Sequence, residues 1–573
     1  MLRVSFFIST LFSAALLLAQ NLTIDTLKAS YKTRGILDSL DVHSQPYALP
    51  FALFGFTEFP SDQLVTEESQ GLFLSPSSEK RIIFTALPHI GFGYTFGQQG
   101  TQLLTANYQQ SISKLVVLNA EVFQNQSNGF QRNSAHKQLS YKFLMRILNS
   151  RIRNISSIEY SNLSTNWSGG LISDSLLEVL PQDLISVNKD NAFSRHLRVQ
   201  YANNSRYSFS RNTDLKFGTE LNMDYSVFKR FYYEEGDLNN IYSLITIDST
   251  ETADSIYFNR IHSSLGVFYE SGKLKFSSHF CLSDWQSRTV GRQLDTTELS
   301  LDYYLEFKPK YCQFTSKGMY GLYGNFSSIL IDNELYIGMN AARIRMYSLY
   351  SRIPPSPFIR DFRANNLDYT LPLLSLQQNI KLGIDFNYRK SIFSAQLGGE
   401  YWHSKNAYFF DSTAWSMQFP QAISALKVNL NTNLNSRRFV VQIGYNFTSL
   451  PNEILYIPQH RISARLAVKT GLFKEGRLKT ILGMDAHYLS AFKRLEYSPV
   501  MGTFNISSLI QQEILAGYYS LGAFANFSVN QFRFFVRFDN IPFLWIDKKT
   551  EIISRYYYPT TQFKIGITWD FWN

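Results

Sequence analysis

The last eleven residues of the chain decide its fold, and they read Phe563-Lys-Ile-Gly-Ile-Thr-Trp-Asp-Phe-Trp-Asn573. Apolar side chains at Phe563, Ile565, Ile567, Trp569 and Phe571 alternate with Lys564, Gly566, Thr568 and Asp570. A period of two residues predicts a β-strand, because successive side chains of a strand point to opposite faces. A closing strand rich in aromatic residues is typical of a transmembrane β-barrel, whose apolar face contacts lipid and whose polar face contacts internal water.

The N-terminus predicts export. Met1-Leu-Arg3 is a short basic start, residues 4–18 are apolar apart from Ser and Thr, and Ala19-Gln20 offers a cleavage point. We therefore predict a signal peptide over residues 1–19. No later segment approaches the ~18 uninterrupted apolar residues that a transmembrane helix requires. A secreted soluble protein would fit these facts equally well, so the strands must decide.

The composition also favours a barrel. Aromatic residues make up 16% of the 573 residues, with 47 Phe and 35 Tyr, whereas only 17% of residues are charged. This is too aromatic for an ordinary soluble surface and too polar for a helical membrane protein.

The net charge is +10, but the basic residues are scattered, which argues against nucleic-acid binding. Cys281 and Cys312 are too few for a disulfide framework, and we predict that they are unpaired, although an oxidising periplasm would permit a bond.

Short turns alternate with long polar segments along the chain. Tight hairpins are predicted at Asp332-Asn333, Asn435-Ser436 and Val529-Asn530, and at residues 270–272, 389–391 and 474–476, because Gly, Asn and Asp supply the positive φ of such turns. Longer connections are predicted at residues 348–378, 404–423 and 490–511. This asymmetry is typical of an outer-membrane barrel with short periplasmic turns and long extracellular loops.

We predict an all-β, transmembrane antiparallel barrel of about 20 strands, within a range of 16–22, over residues 88–573. The region 295–330 is the least regular part of this pattern. A β-propeller or β-sandwich would also have many short strands. However, no repeat of ~40–50 residues is visible, and sandwich strands rarely carry Phe or Tyr at most outward positions.

Four segments in order resemble the putative-porin family of Bacteroidetes outer-membrane β-barrels. They are Tyr94-Thr-Phe-Gly97, Ser127-Asn-Gly-Phe-Gln-Arg-Asn133 with His136, Trp167-Ser-Gly-Gly-Leu-Ile-Ser-Asp174, and the ending from Tyr558-Pro559 to Trp569. The resemblance covers about residues 88–573 and implies a membrane barrel with a channel function, without indicating a substrate. Residues 20–87 do not show the pattern. That segment could plug the lumen, lie in the periplasm or be disordered.

If the apolar positions face lipid, the alternate positions line the lumen. The basic residues predicted to line it are Lys381, Arg389, Lys427, Arg461, Arg465, Lys469, Arg533 and Arg537. With its neighbours, this face of the C-terminal strands has nine basic and five acidic residues, which indicates a preference for anions. The alternative, which we favour, is that these charges pair with acidic residues across strands and only keep the interior hydrated.

Catalysis is not indicated by any motif. The nine histidines show no close metal-ligand spacing, and no Gly-x-Ser-x-Gly elbow is present. Ser, His and Asp from distant positions could still form a triad, but a solvated polar lining explains these residues more simply. We expect no enzyme activity, no metal and no cofactor.

The predicted function is that of an outer-membrane, porin-like channel in a Gram-negative bacterium, for passive or weakly selective passage of small solutes, with anions favoured. Its expected partners are outer-membrane lipid, small solutes, and the barrel-assembly machinery, which would recognise the C-terminal strand. A homo-oligomer or a lipoprotein partner is compatible with the sequence. The alternative function is a non-conducting barrel that serves as a structural or assembly partner of a secretion or uptake complex. A hydrolase in the lumen or loops is a third, less favoured reading.

Overall fold

Twenty-two strands form one antiparallel sheet in the computed structural model. The structure describes residues 87–572, apart from 211–214, 241, 243, 325–327, 340, 356, 372–373, 412, 420, 450–457, 474–475, 507–513, 545–550 and 554. The strands are β1 His89–Gly97, β2 Gln102–Ser111, β3 Val116–Ser127, β4 His136–Leu148, β5 Ile152–Trp167, β6 Ala192–Ser208, β7 Leu215–Glu235, β8 Glu251–Ser271, β9 Leu274–Thr289, β10 Arg292–Phe307, β11 Cys312–Tyr323, β12 Ile329–Met339, β13 Ala342–Ile353, β14 Gln377–Lys390, β15 Phe393–Lys405, β16 Ile423–Asn435, β17 Phe439–Ser449, β18 His460–Leu472, β19 Leu478–Leu489, β20 Tyr518–Val529, β21 Phe532–Asp539 and β22 Gln562–Trp572. The predicted signal peptide and residues 20–86 of the N-terminal segment lie outside the described residues.

The sheet closes on itself through the C-terminal strand. β22 pairs with β21, where Lys564 lies opposite Arg537, and also with β1, where Trp572 lies opposite His89. Every other barrel strand pairs with its neighbours in sequence order. The alternating C-terminal segment is therefore the strand that closes the barrel and removes its free edges.

The two ends of the barrel differ strongly. At one end, all connections are short, as at 272–273, 391–392, 436–438 and 530–531. Ser391 and Asn530 adopt positive φ of 51° there, as their predicted turns require. At the other end, six connections are long, spanning 168–191, 236–250, 354–376, 406–422, 490–517 and 540–561. The predicted alternation of short turns and long loops is confirmed.

The long loops contain small elements of their own. A helix spans Pro357–Arg360, and 3₁₀ turns span Gln182–Leu184, Leu238–Asn240 and Ile541–Leu544. Short hairpins pair Asp361–Ala364 with Leu367–Thr370, Tyr408–Phe410 with Ser416–Gln418, Phe492–Lys493 with Ile514–Leu515, Leu495–Ser498 with Thr503–Ile506, and Glu551–Ile553 with Tyr556–Tyr557. No helix among the described residues is both long enough and apolar enough to cross a membrane.

One predicted hairpin is wrong. Asp332-Asn333 lies in the middle of β12, where Asp332 forms an ion pair with Lys317 of β11 at 3.0 Å. Asn333 donates from Nδ2 to Ser348 Oγ of β13 at 3.3 Å. Ser348 consequently belongs to a strand, and the long loop begins at residue 354 and not at 348. The irregular region 295–330 contains most of β10 and all of β11, which brings the strand number to the top of the predicted range.

Apolar side chains on the outer face are exposed, whereas the alternate positions point into the barrel. On β14, Ile380, Leu382, Ile384 and Phe386 are all among the exposed large apolar residues, and Asp385 between them is buried. β7 and β8 each have 21 residues, well beyond the ~9–11 that span a bilayer. The wall therefore rises above the membrane-spanning band on this side of the barrel.

Candidate functional site

All eight basic residues of the predicted set lie on the face opposite the exposed apolar side chains. On β18, Arg461, Arg465 and Lys469 alternate with Ile462 and Leu466, which are both exposed. The same parity holds for the other five, Lys381, Arg389, Lys427, Arg533 and Arg537. The structure thus places them on the inner wall of the C-terminal strands.

Two carboxylates hold several of these cations together. Asp485 accepts from Arg537 Nη1 and Nη2 at 2.8 and 3.0 Å, and Arg465 Nη2 lies 3.7 Å from it. Asp539 accepts from Arg537 Nε at 2.5 Å and from Lys564 Nζ at 2.9 Å. Bidentate arginine–carboxylate contacts of this kind fix both partners. The charges of β18 to β22 therefore form one network across neighbouring strands.

Other members of the predicted set also have partners. Lys427 lies 3.6 Å from Glu400, and Arg533 lies 3.7 Å from Asp570. Lys469, near the short-turn end, donates to Asn435 Oδ1 and to a backbone carbonyl of the adjacent turn. Much of the positive charge on this arc of the wall is consequently neutralised locally.

The opposite arc of the wall has its own charged network, which the sequence reasoning missed. Glu220 of β7 lies 2.9 Å from Arg206 Nε and 3.4 Å from His279 Nε2. Arg206 also donates from Nη1 to Glu270 at 2.5 Å. These residues occupy inward positions of β6 to β9, so strand parity extended to the middle of the chain would have found them.

The long loops pack together over one mouth of the barrel. Inward residues that contribute buried apolar side chains are Leu163, Trp167, Ala192, Tyr232, Ile256, Trp402, Ile423, Ala425 and Tyr518. The loop residues that pack against them are Ile359, Phe362, Ala364, Leu367, Tyr369, Ala407, Tyr408, Phe409, Phe410, Ala414, Val500, Met501, Tyr556 and Tyr558. We call these loop residues the cap. Because the inward residues come from both β5–β8 and β15–β20, the cap contacts opposite sides of the barrel.

One arginine shows that a loop crosses the lumen. Arg230 on β7 is 2% exposed and donates to the carbonyl oxygens of Pro499 and Val500 in the loop between β19 and β20. In a closed ring of 22 strands, β7 and β19 are about half a turn apart. The contact therefore requires the loop 490–517 to reach across the mouth.

Two segments that resemble family motifs, 127–133 and 167–174, meet at the same end. Asn133 Nδ2 donates to the carbonyl oxygens of Trp167, Lys189 and Ala192 at 3.0, 3.1 and 3.1 Å. The Leu171 N–H donates to the Arg555 carbonyl at 3.0 Å. Segments that are far apart in sequence thus share one hydrogen-bond network beneath the cap.

Burial changes the acid–base behaviour of the cap. It raises the pKa of Tyr556 to about 12, and it raises the pKa of Tyr497 and Tyr558 as well. Burial also lowers the pKa of Lys189, against the opposing effect of Glu234, to which its Nζ donates. The phenols of the cap are therefore neutral at ordinary pH.

Among the described residues, no group of three or more His, Cys, Asp and Glu side chains could hold a metal ion. Cys281 and Cys312 are both free, as the sequence predicted. Cys281 is buried on the inner face of β9.

The barrel resembles solved outer-membrane receptors in fold. The FrpB iron transporter from Neisseria meningitidis matches with a TM-score of 0.59 and 10% identity, over 85% of this chain and 81% of that one. P. aeruginosa FpvA, solved with heterologous pyoverdines, gives 0.60 and 12% over 85% and 72%. The siderophore receptor PirA from Acinetobacter baumannii gives 0.60 and 8% over 85% and 81%. At these identities, the likeness shows the fold alone.

No curated protein matches the chain. The family described as "Putative porin" matches residues 20–573, which extends beyond the motifs at 88–573 to include the segment 20–87. The barrel, its charged inner wall and this match agree, and the chain belongs to the putative-porin family.

Proposed function

We propose that the protein is an outer-membrane channel for passive, weakly selective passage of small solutes. The observation that carries this proposal is a closed 22-strand barrel whose exposed outer face is apolar and whose inner wall is charged. An apolar exterior is stable in lipid, and a polar interior holds water through which solutes diffuse. Family membership supports the same assignment.

Selectivity would be weak because the wall carries both signs of charge. Acidic partners such as Asp485 and Asp539 neutralise several inner cations, among them Arg465 of β18, so the basic inner face acts less strongly on passing ions than its sequence indicates. We expect a small anion preference, since pore selectivity follows the net charge of the lining. No step of this function needs an enzyme centre or a cofactor.

The cap supplies the constriction that a wide barrel needs. Twenty-two strands enclose a lumen too wide to exclude small solutes. The loop contact at Arg230 reaches across that lumen, so the long loops are one candidate for narrowing it. The segment 20–87 is the other, and deleting it tests its part. We also propose export by the signal peptide 1–19 and assembly through β22.

Conductance in planar bilayers tests the proposal. The purified mature chain should produce discrete current steps, and a KCl gradient should give a reversal potential shifted modestly towards that of chloride. Deletion of residues 20–87 should leave the steps in place if the cap alone sets the constriction. A correctly folded barrel that gives no steps, with or without that deletion, would refute the channel and favour the structural or assembly role.

A further inference from the structure

We infer that a recess in the inner wall near the short-turn end binds an acidic oligosaccharide, that is, a short sugar chain bearing carboxylates. The recess has a volume of about 1010 Å³ and is lined by residues of β12 to β19. This inference rests on the proposed function, because it names the class of solute that the channel would hold in passing.

Two adjacent rows of side chains run around this part of the wall. The first row follows the strand register from Arg343 through Asn387, Gln396, Asn431 and Gly444 to Ser463. The second row follows it from Arg389 through Ser394, Asn433 and Gln442 to Arg465. All of these residues line the recess. Arg343 and Arg389 at one end and Arg465 at the other thus flank a centre of amides and hydroxyls.

The arginines outnumber the carboxylates. Four arginines line the recess, whereas Asp485 is the single carboxylate among its described lining residues, and Asp485 is held mainly by Arg537. Arg345 is neutralised by Glu334 and Asp385. Arg343 and Arg389 form no ion pair with any carboxylate that the structure describes. Two guanidinium groups are therefore left to bind anionic groups of a solute.

The centre of the recess matches sugar hydroxyls. A side-chain amide both donates and accepts hydrogen bonds, as a hydroxyl does, and several lie here at adjacent register positions. Asn433 Oδ1 is buried without a partner among the described atoms, and so is Arg465 Nε. Buried polar atoms are normally satisfied, so both side chains keep hydrogen-bonding capacity that their protein neighbours do not use.

A glycine opens the floor of the recess. A Cβ at Gly444 would lie 2.6 Å from Ser463 Oγ and 3.0 Å from Asn431 Oδ1. The missing side chain leaves room beside these two polar groups, which a Cβ would crowd. Close approach of a ligand to backbone is a common reason for glycine inside a strand.

The spacing of the charges excludes a single small anion as the complete ligand. Arg389 lies on β14 and Arg465 on β18, four strand spacings or about 19 Å apart along the wall. One phosphate or carboxylate could contact only one end. An elongated solute with acidic groups at the Arg343 and Arg389 end and further polar groups reaching towards Arg465 matches the whole recess.

Calorimetry on the folded protein in detergent tests this inference, with trigalacturonate as the acidic probe, maltotriose as the neutral one, and inorganic phosphate as the small anion. Trigalacturonate should bind, and the double variant Arg343→Gln/Arg389→Gln should weaken binding at least tenfold. The matched control is Arg198→Gln on β6, whose guanidinium bonds Gln200 outside the recess. Gly444→Val should also weaken binding, whereas Gly399→Val, at an open outward position, should not.

The outcomes separate this site from the channel. Equal binding of trigalacturonate by the double variant and the Arg198→Gln control would overturn the assignment, as would equal binding of maltotriose or phosphate. If the double variant does not fold, the two glycine variants decide. Specific binding without conductance in bilayers would keep the site and refute the channel. Conductance without binding would keep the channel and refute the site.

Discussion

Replacing Arg230 with methionine tests whether the loop 490–517 is held across the mouth. The guanidinium is buried and donates to two carbonyl oxygens, those of Pro499 and Val500. Methionine has a similar length but no donor, so both carbonyls would be left buried and unsatisfied. A hydrogen bond from a charged donor contributes about 1.5–3 kcal/mol, so two contribute at least ~3 kcal/mol.

That free energy sets the size of the expected effect. Since about 1.4 kcal/mol corresponds to tenfold in an equilibrium constant, loss of ~3 kcal/mol should increase the equilibrium constant for opening of the cap about 100-fold. Hydrogen exchange measured by mass spectrometry reports this directly. Peptides covering 495–506, where the Gly502 N–H bonds the Ser498 carbonyl at 2.8 Å, should lose about that much protection. Peptides from β14 should not change.

The control is a second inner-wall arginine that lies away from the loop. Arg198→Met removes an inner-wall guanidinium of β6 that has no contact with the loop, and it should leave exchange in 495–506 unchanged. If Arg230→Met also leaves protection there unchanged, the arginine does not hold the loop. If the amides of 495–506 stay protected from exchange in both variants, that protection must come from the apolar packing of the cap alone.

The charged network of Asp485, the buried phenol of Tyr556 and the close contact at Gly170 can each be tested by substitution. Asp485→Asn removes the carboxylate that Arg465 and the two Nη atoms of Arg537 share, while Asp539 still accepts from Arg537 Nε, so the free energy of unfolding in urea should fall by about 1.5–3 kcal/mol, and an unchanged midpoint would contradict the network. Because burial raises the pKa of Tyr556 to about 12, its contribution to cap stability is complete below about pH 10 and decreases as the pH rises towards 12. The protection of cap amides, measured relative to an unfolded peptide at the same pH, should therefore fall over that range, and it should fall less in Tyr556→Phe. Gly170→Ala places a Cβ 2.4 Å from the Arg555 Cβ at a φ of +82° and should loosen the loop 540–561 in exchange experiments, whereas Gly236→Ala, which is strained at its own positive φ but has open space around it in another loop, should leave exchange in 540–561 unchanged.

The barrel was predictable because its decisive signals are local. Alternation along β22 and the short turns before it, such as Val529-Asn530, depend only on neighbouring residues. Strand parity then placed Arg461, Arg465 and Lys469 on one inner face without any knowledge of the partner strands. Period-two patterning carries this information wherever one face of a strand is apolar.

Local signals failed where polar residues are satisfied across strands. Asp332-Asn333 has the composition of a turn, yet Lys317 and Ser348 on the two neighbouring strands satisfy these side chains within the sheet. A turn and a pair of polar strand positions look alike in sequence when the strand partners are unknown.

The cap lay beyond sequence reasoning for a different reason. Arg230 and Pro499 are 269 positions apart, and nothing in either segment indicates the other. Loop packing of this kind depends on which strands close the ring and on how far the wall at β7 and β8 rises. Only the closed barrel defines these distances.

The cap and the recess lie at opposite ends of the lumen, and this separation allows them to control different steps. Arg389 is next to the last residue of β14, at the short-turn end, whereas the cap covers the long-loop mouth. A solute from the capped side meets the loops first and the arginines afterwards. Opening of the cap would then set how often a solute arrives, and the recess would set how long it stays. In single-channel recordings, trigalacturonate added on that side should interrupt the current for as long as it occupies the recess. Arg230→Met should change how often these interruptions occur and not how long they last. Gly444→Val should shorten the interruptions and leave their frequency unchanged.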